Sequence, residues 1–236
     1  MCDSCGCDSK GTSKSGGREH RIIKVEKDVL ARNSRKAELI RRRALDSGNR
    51  IVNFIGSPGA GKTELCVALI NALKDRKSCI VIEGDLATDN DARRIASTGA
   101  NVHQIVTGTG CHLSADDVVH SLSHLPETNE AIIFVENVGN LVCPSMFDIG
   151  ESMRIVCLSV TEGEDKPEKY PITFREANAV AITKSDLMPY VDFNFENCSA
   201  LIQRVNPKAP VFLSSTKTGD GIDFLAAHIL EMWSEE

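Results

Sequence analysis

The segment Gly56-Ser57-Pro58-Gly59-Ala60-Gly61-Lys62-Thr63 constrains this chain more than any other, because the G-x-x-x-x-G-K-T spacing works only between a strand and a helix. Its small residues let successive backbone N–H groups turn toward one centre, and the N-terminus of a following helix adds positive potential there. The residues before it, IVNFI, read as a buried strand, and those after it, 62–77, as a helix. A phosphate-binding loop is therefore predicted, with Lys62 reaching the β- and γ-phosphates of a nucleotide and the Thr63 hydroxyl coordinating Mg²⁺.

The rest of the chain has the texture that such a loop requires. Short apolar runs rich in Val and Ile recur with helical spacing between them: IVNFI, CIVIE, VHQIV, AIIFVE, RIVCLSV, VAIT and VFL. Unalternated runs of this length fit strands buried on both faces of a mostly parallel sheet, so an α/β fold flanked by helices is predicted. The stretches 62–77, 89–98, 114–124, 195–205 and 221–233 are long enough for those helices. Residues 1–20 hold few large apolar side chains and are expected to be a flexible tail, since they cannot repay the entropy of ordering. A helical segment over 21–48 follows, with apolar periodicity from about Val25 to Asp46, and 49–236 reads as the nucleotide domain.

Charge narrows the function. With 27 basic and 33 acidic side chains the net charge is −6, which argues against nucleic acid as a partner. No run approaches the roughly 18 apolar residues of a membrane span. Without an apolar secretory stretch at its start, the chain is expected in the cytoplasm. There the nine cysteines point to metal binding or burial rather than a disulfide framework.

Ligands of an open parallel sheet bind at the carboxyl ends of its strands, where Asp85 follows CIVIEG and Glu136 follows AIIFV. Either carboxylate offers the hard oxygen that Mg²⁺ takes, directly or through water; the plainer alternative is that each caps a following element. Thr183-Lys184-Ser185-Asp186 follows VAI and resembles the N-K-x-D signature of GTPases. In that signature the Asp accepts from the N1–H and N2 amine of guanine, donors that adenine does not offer. Thr183 stands where the signature has Asn. Ser214-Ser215-Thr216 resembles the last guanine-side loop of the same enzymes.

Cys2, Cys5 and Cys7 form C-x-x-C-G-C, thiols close enough in sequence to turn onto one soft cation. A second set, Cys111-His112 and Cys143, lies farther along, and Cys143 is seven residues beyond Glu136. Each of these alone is as consistent with a buried thiol or a surface imidazole; with a nucleotide site on the same loop, a metal is the favoured reading. Cys66, Cys79, Cys157 and Cys198 fall in apolar runs and read as inert core thiols. His20, His103, His120, His124 and His228 are scattered and receive no role.

In order along the chain, C-x-x-C-G-C, GSPGAGKT, EGD, TGTGCH, ENVGNLVCP, SVTEGEDKP and TKSDL resemble the HypB family, the nickel-inserting GTPases of hydrogenase maturation. The resemblance covers nearly the whole chain. It implies GTP and Mg²⁺ at Gly56 to Thr63, Asp85, Glu136, Lys184, Asp186, Ser215 and Thr216. Ni²⁺ at Cys111, His112 and Cys143 is implied with them, zinc being the alternative for the same ligands; hydrolysis is expected to be slow because no convincing arginine finger or catalytic glutamine stands in the sequence. It also implies a nucleotide-dependent homodimer of the SIMIBI class with these ligands near its interface. The partners implied are the metallochaperone HypA, the hydrogenase large-subunit precursor and, in some bacteria, the prolyl isomerase SlyD. Metal buffering by a GTPase of the same superclass is the rival function, disfavoured by the lack of a His tract.

Overall fold

The computed structural model describes residues 16–85 and 89–234, with side chains from Asp28 onward. Cys2, Cys5 and Cys7 lie outside the described residues. The chain divides into two units, Met1–Arg32 and Asn33–Glu236. In chain order the elements are α1 (Gly16–Asp46), β1 (Arg50–Gly56), α2 (Lys62–Leu73), β2 (Cys79–Asp85), α3 (Asn90–Ala96), β3 (Asn101–Val106) and α4 (Ala115–Leu122). They continue with β4 (Ile132–Glu136), α5 (Cys143–Met146), β5 (Met153–Ser159), α6 (Lys166–Lys169), α7 (Pro171–Arg175), β6 (Ala179–Thr183), α8 (Phe195–Val205), β7 (Val211–Leu213) and α9 (Ile222–Leu230).

The seven strands form one sheet in the order β3-β2-β4-β1-β5-β6-β7, and every pairing in it is parallel. The four central strands β4, β1, β5 and β6 are buried residue for residue, which is why their sequences are continuous apolar runs rather than alternating ones. On one face Leu65 and Leu69 of α2 and Leu225 of α9 pack in one core cluster with Phe54, Phe134 and Ile155 of the sheet. Phe54 and Phe134 stack at 5.4 Å, a contact worth about 1 kcal/mol beyond area burial.

On the other face Ala37, Ile40 and Ala44 of α1 pack with Ile51, Ile80, Ile133 and Val118. The second half of α1 therefore belongs to the core of the larger unit, which begins at Asn33, whereas the sequence suggested a division near residue 48. The helix also begins at Gly16, before the periodicity at Val25 and inside the stretch expected to be a tail. The extra residues, GGREHRIIK, include good helix formers but no repeating apolar face, so periodicity could not announce them. No helix among the described residues is long and apolar enough to cross a membrane.

The order of strands sets the site. The chain leaves β1 at the middle of the sheet, with β4 on one side and β5 on the other. The loop after β1 is thereby flanked by the carboxyl ends of β4, β5 and β6, and β2 lies beyond β4.

Candidate nucleotide and metal site

Gly56 to Thr63 runs from the end of β1 into the first turn of α2. Gly61 enters that helix with φ 85°, a left-handed conformation that a side chain would strain. Lys62 is buried, and its Nζ donates to the carbonyls of Gly56 at 3.3 Å and Ser57 at 3.2 Å. Its ammonium is thus held inside the loop, pointing back across the curl that a phosphate chain would occupy.

Thr63 Oγ1 donates to Glu136 Oε1 at 2.7 Å. The second oxygen, Glu136 Oε2, is buried with no hydrogen-bond partner among the described residues. Burial pushes Glu136 up to about 7, against the opposing effects of the Thr63 hydroxyl and the Lys62 charge. A hydroxyl and a carboxylate with an unused, dry oxygen fit a hard divalent cation such as Mg²⁺, whose charge would offset that desolvation. Asp85 ends β2 nearby, and its charge raises Glu136 further.

Glu83, two residues before Asp85, sits in register with Glu136 on the adjoining strand. Burial and the neighbouring Glu136 push it up to about 8, and its Oε2 is also unpartnered among the described residues. Sequence reasoning passed over Glu83 because a single carboxylate inside an apolar run carries no motif.

The base-side residues cluster at the ends of β6 and β7. Lys184 adopts a left-handed conformation at φ 59°, and its Nζ donates to the Gly59 carbonyl at 2.7 Å. Ser215 Oγ donates to Asp186 Oδ1 at 2.7 Å, fixing the carboxylate that would read guanine. Thr216, exposed, follows in the same loop. Thr183, the departure from Asn in the signature, donates its hydroxyl to the Ala60 carbonyl at 2.6 Å. A buried threonine thus ties the base-side strand to the phosphate loop.

The thiol and imidazole set is gathered as well. Among the described residues, Cys111, His112 and Cys143 bring their ligand atoms within 4.8 Å of one another. Cys111 Sγ lies 3.5 Å from His112 Nδ1. The hydrogen bond with Cys111, together with burial, holds the Cys143 thiol above its ordinary value, and burial holds His112 below its own. His112 stacks on Phe147 with ring centroids 3.7 Å apart. A neutral imidazole and two adjacent thiols form a borderline-soft donor set, and a bound cation would deprotonate the thiols outright.

Two tethers join this cluster to the proposed Mg²⁺ ligands. The Thr107 hydroxyl lies 3.2 Å from both the Asp85 and the Gly110 carbonyl oxygens, so the residue before Cys111 is pinned to the end of β2. Asn137 Oδ1 accepts from the Leu113 N–H at 3.0 Å, pinning the residue after His112 to the one after Glu136. Asn137 Nδ2 donates to Asn53 Oδ1 at 3.3 Å, and Asn53 Nδ2 donates to Glu151 Oε1 at 3.3 Å. Arg154 Nε meets that same carboxylate oxygen at 2.9 Å, while its Nη1 donates to the Ser145 carbonyl at 3.1 Å, inside the short helix that Cys143 opens. One buried polar chain therefore runs from the Cys111-His112 loop to the Cys143 helix. The intervening loop also touches the phosphate loop: Gly56 pairs with Asn140, and Gly139 leaves only enough room for Pro58, whose backbone would lie 3.1 Å from an added Cβ.

A glycine loop closing on a buried Lys and a Thr–Glu pair at the ends of parallel strands, with an Asp-bearing base loop opposite, defines a P-loop GTPase. Residues 50–213 match the family described as CobW/HypB/UreG, nucleotide-binding domain. Hydrogenase maturation factor HypB of Rhizobium leguminosarum bv. viciae is 49% identical over 90% of this chain and 71% of its own length. HypB of Escherichia coli strain K12 is 46% identical over 90% of this chain and 73% of its own. The crystal structure of HypB from Helicobacter pylori in complex with nickel superposes with a TM-score of 0.81 at 39% identity, covering 86% of this chain and 96% of that one. The chain belongs to the HypB family of hydrogenase maturation factors within the CobW/HypB/UreG group.

Proposed function

We propose that this GTPase binds nickel at Cys111, His112 and Cys143 and delivers it to the hydrogenase large-subunit precursor, using the nucleotide to change its hold on the metal. The observation that carries this reading is the convergence of those three ligand atoms on a segment hydrogen-bonded to the residues flanking Glu136. A relative whose crystal structure is described as a complex with nickel supports the choice of ion.

In this reading the N–H groups of Gly56 to Thr63 cradle the phosphates. Lys62 exchanges its loop carbonyls for β- and γ-phosphate oxygens. Asp186, held by Ser215, accepts from guanine, and the Lys184 stem lies along the base with Thr216 at the loop's rim. Thr63, Asp85 and Glu136 would hold Mg²⁺, which neutralises charge on the phosphates when bound. Once Thr63 and Glu136 are drawn toward the phosphates, Asn137 and the Gly139–Asn140 segment move with them. Leu113 and the Cys143 helix are displaced in turn. Nickel favours planar and zinc tetrahedral donor sets, so a shift of one ligand alters both affinity and choice of ion.

Cys2, Cys5 and Cys7 supply a separate thiol site in the 1–20 segment, the GTPase domain being 49–236 with the helical 21–48 segment between. The protein works in the cytoplasm as a nucleotide-dependent homodimer. Its partners are HypA, the large-subunit precursor and, where present, SlyD, as the family resemblance implies.

The test uses the full chain with Cys2, Cys5 and Cys7 changed to Ser. It should hydrolyse GTP in preference to ATP and retain nickel that is lost on further change of Cys111 and Cys143 to Ala. Equal use of ATP, or nickel binding indifferent to those two thiols, would overturn the proposal.

A further inference from the structure

Three histidines that look scattered in the sequence meet on the far side of α4. His103 lies on β3, the edge strand; His120 is in the last turn of α4, and His124 follows its end. Their ring centroids are 4.9 Å apart for His103 and His124, 4.5 Å for His120 and His124, and 6.0 Å for His103 and His120. Three imidazoles bound through Nε2 to one tetrahedral ion, with metal–nitrogen bonds of about 2.0–2.1 Å, would set their centroids about 5 Å apart. The observed separations bracket that value.

In His103 and His124 the other ring nitrogen is arranged as it is behind a metal-bound imidazole. His124 Nδ1 lies 2.9 Å from the His120 carbonyl oxygen, so Nδ1 carries the proton that this acceptor requires and Nε2 keeps its lone pair. His103 Nδ1 lies 3.1 Å from Ser121 Oγ, which can accept in the same way. Among the described residues, no hydrogen bond engages Nε2 of His103, His120 or His124. His120 and His124 are four residues apart, the first in the last turn of α4 and the second in the turn that follows, and this turn brings their rings together. In this structure the rings of His103 and His124 are stacked, 19° from parallel, so convergence requires them to turn. His120 and His124 are exposed and His103 half-exposed, and such rotations take picoseconds to nanoseconds.

We infer that His103, His120 and His124 form a second divalent-cation site in this domain, one that takes a borderline ion such as zinc or nickel through three imidazoles and leaves a fourth position to water. It is separate from the Cys111, His112 and Cys143 cluster, which lies at the opposite end of α4; eight helical residues extend roughly 12 Å. An all-imidazole site open on one side binds less tightly than thiolates and exchanges faster, so it suits transient loading. Nothing in this site depends on the nucleotide tethers.

Cobalt(II) is the probe, because thiolate ligation gives an intense charge-transfer absorption and imidazole ligation does not. The full chain and the variant carrying His103→Gln, His120→Gln and His124→Gln are titrated side by side, with GTP hydrolysis as the check on folding. The variant should bind one equivalent less while its charge-transfer absorption stays at the level of the unaltered chain. An unchanged stoichiometry overturns the inference, as does a lost equivalent that takes the charge-transfer band with it. Should the triple variant lose hydrolysis, the exposed single change His120→Gln decides: the equivalent that binds without charge-transfer absorption should weaken at least about tenfold, and an unaltered affinity overturns the inference.

Discussion

Asn137 and Leu113, distant in sequence, are joined by a 3.0 Å hydrogen bond from the Leu113 N–H to the Asn137 side-chain oxygen. Leu113 follows His112 and Asn137 follows Glu136, so one bond joins the segment of Cys111 and His112 to that of Glu136. The other face of the Asn137 amide continues through Asn53, Glu151 and Arg154 to the helix bearing Cys143. Buried polar chains of this kind are rigid only while every member is satisfied.

Asn137→Ala should therefore act on stability and on coupling together. It strands the buried Leu113 N–H and the side-chain oxygen of Asn53, at a cost of about 1–3 kcal/mol. Chemical denaturation reads that loss. Nickel affinity should survive in the variant, but its dependence on nucleotide should shrink; a dependence as large as that of the unaltered chain would show that the bond transmits nothing.

Thr183 gives a sharper test of the base side. Thr183→Val removes the hydroxyl that donates to Ala60 while keeping the shape, which should cost about 1 kcal/mol of stability and weaken GTP binding. Asn at the same position offers a donor that can reach the same carbonyl and should restore both. Fluorescence titration with a labelled guanine nucleotide distinguishes the two; identical affinities for the Val and Thr forms would leave the tie without a role in binding.

The paired carboxylates make stability depend on pH in an uncommon sense. Glu83 is pushed up to about 8 and Glu136 to about 7 from an ordinary 4.5, chiefly by burial, so the folded chain holds their protons longer than the unfolded one. Their contribution is complete below about 4.5 and is lost as pH rises through 7 and then 8. The Tm of the nucleotide-free protein should fall across that window. Glu83→Gln should flatten the upper part of the fall, whereas an unchanged slope would mean that Glu83 ionises normally in the fold.

Cysteine reactivity should sort the thiols. Burial pushes Cys157 and Cys198 up to about 12 and Cys66 well above its ordinary value, and all three are fully buried. Iodoacetamide at neutral pH should label Cys111 and Cys143 well before these three, and nickel should protect that pair. Peptide mapping that finds Cys157 modified as fast as Cys111 would contradict the burial.

How much of this could be read in advance depends on whether a feature is contiguous in the chain. The strands and the Gly56–Thr63 loop were legible because a buried parallel strand is an unbroken apolar run and the loop is a single motif. The start of α1 was not, because its first residues have helix-forming side chains without a repeating apolar face. Cys111, His112 and Cys143 could be suspected from their neighbours, but only the fold brings Cys143 across to the other two. Asn137, Asn53 and Glu151 were invisible, since their bonds join residues 84 and 98 positions apart and a lone Asn in a strand announces nothing. His103, His120 and His124 look scattered in the sequence for the same reason: the contact between an edge strand and the end of α4 has no signature in the linear order.

In the proposed function, nucleotide and nickel are linked through the segment from Glu136 to Cys143. Its most direct test is the nickel affinity of the chain carrying Ser at Cys2, Cys5 and Cys7, measured nucleotide-free, with GDP and with a non-hydrolysable GTP analogue. Linkage requires the affinity to differ between states by at least about fivefold, the lower end of ordinary coupling energies. The same affinity in all three states would contradict it, because a ligand that does not distinguish two conformations cannot be released by switching between them.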